Sequence, residues 1–284
     1  ARRGLAQALD PDVPLGGSRA QAVSAAADES LPMGERMLVG VRELVDAPLE
    51  PGAAQALAAR AQAARQRASE LYWGRVDEEA LMAGRMQASG TVRGTHGALE
   101  GTDGAAVAAA NFRRADDLVA DWARSGEPLT LERIQELNRV LGQGLEHNGL
   151  APGALRTAGQ DVFAGVPTRA YIPGENVAEA MDEFFTWYRA AEASGMEPIE
   201  LAARTYQRLV SVHPFADANG RTSRMVMDYV LRSHGLPPAT MENVNVAVFG
   251  YERALGIEGL SATPTQAVER VTAGVERSLE LLGR

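Results

Sequence analysis

Apolar residues recur three and four positions apart along most of this chain, the period of helices that bury one face. Such stripes run through Met37, Val41 and Val45, through Leu57, Ala61 and Ala64, and through Ile134, Leu137, Val140 and Leu141. They continue in Met181, Phe184, Phe185 and Tyr188, then Leu201, Tyr206, Leu209 and Val210, then Met225, Val226, Tyr229 and Val230. The tail repeats the pattern with Ala267, Val268, Val271, Val275, Leu279 and Leu282 behind a Pro264-Thr265-Gln266 start, and is expected to pack on the core. Thr130 is placed to cap one helix, and Asn176, with Glu179 at capping-box distance, to open another. One stretch breaks the period: Gly165 to Pro173 is turn-rich, flanked by Val and Ile, and reads as a small β-hairpin. Residues 1–30 are rich in Ala, Gly, Asp and Ser and are expected to be poorly ordered. Residues 31–90 read as a helical N-terminal region whose core takes Tyr72 and Trp73, and the Gly- and Thr-rich stretch 86–105 reads as a connector. The expectation is a mainly α protein.

Between two of these stripes lies His213-Pro-Phe-Ala-Asp-Ala-Asn-Gly-Arg-Thr-Ser-Arg224, a loop between two amphipathic helices with the second starting near Gly220. Free amides and the positive dipole end at a helix N-terminus attract anions. Asn219-Gly220 is expected to take the left-handed dihedrals that fold amides into a concave nest. His213 titrates near neutrality and suits removal of a hydroxyl proton. Asp217 is a hard oxygen ligand suited to Mg²⁺. Arg221 and Arg224, three apart, share a helical face, and guanidinium forks match phosphate oxygens. Phe215 is expected in the core, pinning the loop. Together these residues suit phosphoryl or nucleotidyl transfer, which needs positioning and charge neutralisation more than covalent help.

The stretch resembles the Fic-family signature, His-Pro-Phe-x-(Asp/Glu)-(Gly/Ala)-Asn-(Gly/Lys)-Arg-x-x-Arg, at every specified position. Pro152-Gly-Ala-Leu-Arg-Thr157 resembles the family's Pro-Gly-x-x-Arg segment, and the likeness spans about residues 105–235, within a catalytic domain taken as 91–284. The resemblance implies a Fic-like helical bundle with a β-hairpin flap over the active site. It implies Mg²⁺-dependent transfer of a nucleoside monophosphate from ATP or UTP, AMP ahead of UMP, to a Ser, Thr or Tyr hydroxyl of a protein. His213 would be the base and Asp217 the metal ligand; Asn219, Gly220, Arg221 and Arg224, with Phe215, would form the nucleotide site. Val166, Thr168, Ala170 and Tyr171 would dock the target's backbone as an added strand. Family members with Lys in place of Gly220 act as kinases, which Gly220 argues against. Phosphocholine transfer, or a non-catalytic binding module of the same fold, remains the alternative. Ala98-Leu-Glu100-Gly101 resembles the end of an inhibitory motif whose Glu pairs with the second Arg. His96 stands where that motif has Ser or Thr, so a solvated Glu100 in a connector is the favoured reading.

Composition narrows the partners. The chain has 284 residues, 45% hydrophobic and 5% aromatic, a net charge of -9 and no cysteine. That excludes a disulfide framework and a thiolate metal site, and argues against nucleic-acid binding. No apolar run reaches membrane-spanning length. The start, Ala1-Arg-Arg-Gly4, lacks signal-peptide pattern and suits a cut from a longer chain. All 28 basic residues are Arg. Lys is the site of ubiquitin attachment, so its absence fits a soluble, secreted effector acting on a signalling protein in a host cytosol.

Overall fold

The structure, a computed structural model, describes residues 46–71, 78–88, 103–145, 151–160, 172–241 and 263–283. Among them the helices are α1 (Pro51–Glu70), α2 (Glu78–Ala88), α3 (Asp103–Ser125), α4 (Leu131–Gly142), α5 (Val177–Ala193), α6 (Pro198–Val212), α7 (Asn219–Ser233) and α8 (Pro264–Leu282). The expected mainly α architecture is therefore present. The stretch 165–171, with Val166, Thr168, Ala170 and Tyr171, lies outside the described residues, as do Glu100, Tyr72, Trp73 and everything before Asp46. The expected connector is shorter than the sequence implies: residues 86–88 complete α2 and 103–105 begin α3.

Helix α6 is the hub. Glu197 caps it, accepting from the amides of Ile199 and Glu200 at 2.8 and 3.0 Å, and Pro198 supplies a preset first turn. The sequence stripe suggests one buried face, yet every residue from Leu201 to Val212 is buried, because α5, α7 and α8 all pack against α6. Several of its polar positions find partners within the fold. Ser211 donates to the Gln207 carbonyl at 2.7 Å, Arg204 binds Glu200 at 2.8 Å and the Ala47 carbonyl at 3.0 Å. Arg208 lies 4.1 Å over the Trp187 ring and pairs with Asp46.

Helix α7 packs on α6, α3 and α4, whereas α8 joins α6 to α1 and α2. Thr263 and Gln266 close a capping box at the start of α8. From there α8 holds α1: Thr265 accepts from the Glu50 amide at 2.9 Å, Glu276 takes both fork atoms of Arg60 at 2.6–2.9 Å, and the Leu279 carbonyl accepts from Arg67 at 3.3 Å. Two starts differ in their capping. Thr130 caps α4, accepting from the Arg133 amide at 3.4 Å as expected. Asn176 makes no cap, because a 3-10 turn over Gly174–Asn176 gives it φ -98° and ψ -2°, off the extended conformation a capping side chain needs.

A buried ionic cluster fixes α2 and α3 to the far half of α7. Arg85 reaches Asp116 and Asp228, each at 2.6 Å, and its guanidinium lies 5.4 Å over the Phe112 ring. Arg232 meets both oxygens of Asp116 at 2.9–3.0 Å, and Asp228 also accepts from the Ala239 amide at 2.9 Å. Among the described residues no helix is long and apolar enough to cross a membrane.

Candidate active site

Helix α6 ends because His213 turns left-handed, φ 53°, and Pro214 cannot continue a helix. The loop then runs through Phe215, Ala216 and Asp217 to Ala218, φ 61°, where α7 begins. These are the only left-handed non-glycine residues among those described, each costing roughly 1–2 kcal/mol. Asn219-Gly220 was expected to take these dihedrals. Instead both residues form the first turn of α7, and the strain falls on the two residues that flank the loop. Strained backbone of this kind persists where surrounding contacts over-determine it.

Those contacts are numerous. Phe215, expected both in the core and among the nucleotide-binding residues, is 1% exposed, so its ring is a core anchor. Asn219 clamps the loop: its Oδ1 accepts from the Phe215 amide at 2.9 Å and its Nδ2 donates to the Phe215 carbonyl at 2.8 Å. The Asn219 side chain therefore shapes the loop, and what it offers a ligand is its backbone amide. Phe215 also forms an isolated antiparallel bridge with Leu155. Asn138 of α4 donates to the Asp217 carbonyl at 2.9 Å and to Thr222 at 3.1 Å, and accepts from the Gly153 amide at 2.8 Å. Gly174 sits so close to the 157 segment that a Cβ there would lie 2.0 Å from the Thr157 carbonyl oxygen.

Arg156, only 2% exposed, spans the same region. Its guanidinium donates to the carbonyls of His213 at 2.8 Å, Ile172 at 2.7 Å, Gln160 at 3.2 Å and Val212 at 3.3 Å. Its amide donates to the Pro214 carbonyl at 2.9 Å. The Pro-Gly-x-x-Arg segment was visible in the sequence, but the buried role of its Arg was not. Asn138 was missed outright, although a polar residue inside the Leu137–Leu141 stripe was the available signal.

The open side of the loop carries charge. His213 and Asp217 are half-buried. His213 Nδ1 lies 3.3 Å from the Val210 carbonyl; donation there leaves Nε2 with the lone pair. Ala218 gives α7 no side-chain cap, so the first amides of that helix stay available to a ligand. Arg221 is buried, with Asp217 3.3 Å away, and its Nη1 has no partner; Nε of Arg224 is likewise buried and unpartnered. Burial lowers the Arg221 pKa, with Arg224 adding to the effect and Asp217 opposing it. An arginine remains charged, so this direction marks a cation short of negative charge. Buried donors without partners beside uncapped amides form a cradle for an anion.

The chain is similar to Fic proteins. Residues 128–231 match the Fic/DOC family model. It is 41% identical over 136 residues to a uridine 5'-monophosphate transferase from Xanthomonas campestris pv. campestris, covering 45% of this chain and 25% of that protein. It is 34% identical over 116 residues to a protein adenylyltransferase Fic from Nematostella vectensis, covering 40% and 26%. The chain thus spans about a quarter of the length of the curated relatives it matches. Its fold resembles Fic-1 from C. elegans, with a TM-score of 0.60, 18% identity, and coverage of 93% of this chain and 80% of that one. It also resembles a Fic domain containing signaling protein from Bacteroides thetaiotaomicron, with a TM-score of 0.59, 20% identity, and coverage of 78% and 95%.

Proposed function

We propose that this Fic-like domain transfers a nucleoside monophosphate from a nucleoside triphosphate to a Ser, Thr or Tyr hydroxyl of a protein. The observation that carries the reading is the pair of buried, unpartnered guanidinium donors of Arg221 and Arg224 beside the uncapped start of α7. Such donors match triphosphate oxygens, which accept from guanidinium N–H groups in charge-assisted pairs. The named relatives, a UMP transferase and a protein adenylyltransferase, fit the same chemistry.

In this reading Nε2 of His213 takes the acceptor's hydroxyl proton. The oxygen attacks the α-phosphorus, the bond to the β-phosphate oxygen breaks, and pyrophosphate leaves. Arg221, Arg224 and the amides of Asn219 and Gly220 stabilise the charge on the phosphates. The donor set fits Mg²⁺. No group of three or more His, Cys, Asp or Glu gathers among the described residues, while Asp217 stands half-buried at the cradle. One carboxylate completed by phosphate oxygens is how Mg²⁺ is usually held. Bound there by Asp217, it would neutralise phosphate charge. AMP is the first expected donor group and UMP a close second. The acceptor is expected to be a host signalling protein, a reading that rests on the lysine-free composition.

Incubation with each α-labelled nucleoside triphosphate and Mg²⁺, followed by autoradiography of the protein and of added lysate, tests this. Label transfer by wild type and its loss in His213→Ala is the expected result. Absence of label and of pyrophosphate release with every donor overturns the reading in favour of phosphocholine transfer or a binding module.

A further inference from the structure

The residues assigned to chemistry all lie between His213 and Arg224, yet what holds the base in place comes from elsewhere. His213 ends a helix in a left-handed conformation that a β-carbon disfavours. Its imidazole can serve as a base only while the ring direction is fixed, and the ring direction follows from the backbone. The carbonyls of Val212 and His213 belong to the end of α6, where no following amide of the helix can satisfy them. A cation placed there meets both the unpaired oxygens and the negative end of the helix dipole.

Arg156 fills that position. Through Nε and Nη2 it binds the carbonyls of His213 and Val212, and its own amide binds the carbonyl of Pro214. Three successive carbonyls, one before the base, its own and one after it, are thus held by a single residue. The same guanidinium reaches Gln160 and Ile172, which puts the 152–160 segment and the start of the 172–176 turn in fixed register with the base. The fork geometry matters: divergent donors at 2.7–3.3 Å reach four carbonyls that a single ammonium could not span. Its donors are taken up by these carbonyls, which separates Arg156 from Arg221 and Arg224, whose Nη1 and Nε meet no partner.

We propose that Arg156 is a positioning residue for His213: it fixes the left-handed backbone of the base and through it the Nδ1 contact with the Val210 carbonyl that directs Nε2 toward the acceptor. The proposal rests on the transferase reading for its kinetic consequence, but its structural consequence does not.

The test uses Arg156→Lys and Arg156→Ala in the full chain. The protein has four histidines, so the imidazole nitrogen resonances can be assigned by substituting His213. In wild type the His213 ring is expected to give the signature of one fixed tautomer, with Nδ1 protonated. In both variants that signature should collapse toward the averaged value of a mobile ring, while the cooperative melting transition is retained. Calorimetric affinity for ATP and UTP should stay within about twofold, and the maximal rate of self-labelling or nucleotide hydrolysis should fall at least tenfold, since a general base contributes about 10²–10⁴. If Arg156→Ala does not fold, Arg156→Lys, which keeps the buried charge, carries the comparison. An unchanged tautomer signature in a folded variant overturns the proposal. So does a loss of nucleotide affinity that parallels the loss of rate, which would put Arg156 in the phosphate site. Failure of Arg156→Lys to fold would make the residue purely structural and also overturn it. A wild-type protein inactive with every donor rejects the transferase reading alone, because the resonance comparison still decides the positioning.

Discussion

Helix α7 treats its charges in two opposite ways. Near its start, Arg221 Nη1 and Arg224 Nε are buried N–H groups that meet no partner, and the helix has no side-chain cap. Two turns on, Asp228 is deeper still but closed off, held by Arg85 at 2.6 Å and by the Ala239 amide at 2.9 Å. Arg85 itself is shared between Asp228 and Asp116. The same residue types on the same helix therefore make a lock at one end and an unfilled cradle at the other. Buried guanidinium N–H groups left without an acceptor cost stability that the single Asp217 contact offsets only in part, so their retention points to an anionic ligand.

The difference is open to direct attack. The largest effect is expected at the open end, where His213→Ala should lower label transfer by about 10²–10⁴ with an unchanged melting temperature and nucleotide affinity. At the closed end, Arg85→Met should leave two buried carboxylates facing each other and cost about 3–5 kcal/mol in urea-unfolding stability. The same exchange at the open end should behave otherwise. Arg221→Met is expected to hold or raise the melting temperature while nucleotide affinity falls, and Arg224→Ala should weaken calorimetric triphosphate binding by about 1.5–3 kcal/mol. Equal destabilisation by Arg85→Met and Arg221→Met would erase the distinction.

The smallest effect concerns pH. Burial pushes the Asp116 carboxyl up, but Arg85 and Arg232 outweigh it and hold the group below its ordinary value of 3.8. Its contribution is thus complete at neutral pH and is lost as pH falls below 3.8 through its folded value. For Asp228, burial wins over the attraction of Arg85, and the repulsion of Asp116 adds to it, so this group is raised. It takes up its proton earlier on folding and favours the fold as pH falls. The two slopes oppose each other. Asp116→Asn should therefore give a modestly shallower loss of stability on acidification, read from urea midpoints between neutral pH and below 3.8.

Much of this was legible in the chain. The apolar period located α4, α5, α6, α7 and α8, and Thr130 announced its cap, since these signals are local and depend on residues within one turn of each other. The motif from His213 to Arg224 was equally plain, because loop and helix start are contiguous. What could not be read was anything decided by distant partners. The full burial of α6 comes from three neighbouring helices, so its polar positions looked solvated. The clamp that the Asn219 side chain makes on the Phe215 backbone has no local sequence signal. Arg156, Asn138 and the Arg85 cluster act across 31 to 143 residues of sequence, which no periodicity encodes. The left-handed dihedrals fell on His213 and Ala218 because the clamp dictates them, overriding the local preference of Asn-Gly.

The grip of α8 on α1 bears on how the molecule comes to exist at all. Glu50 with Thr265, Arg60 with Glu276 and Arg67 with Leu279 join residues 212 to 216 positions apart. Closing so long a loop costs entropy that local helix formation does not return, and proteins rich in such distant contacts fold slowly. On the ribosome, α1 emerges early but must wait for α8, and α6 stays uncovered on one side until then. The hub that presents His213 is therefore among the last parts to be sealed.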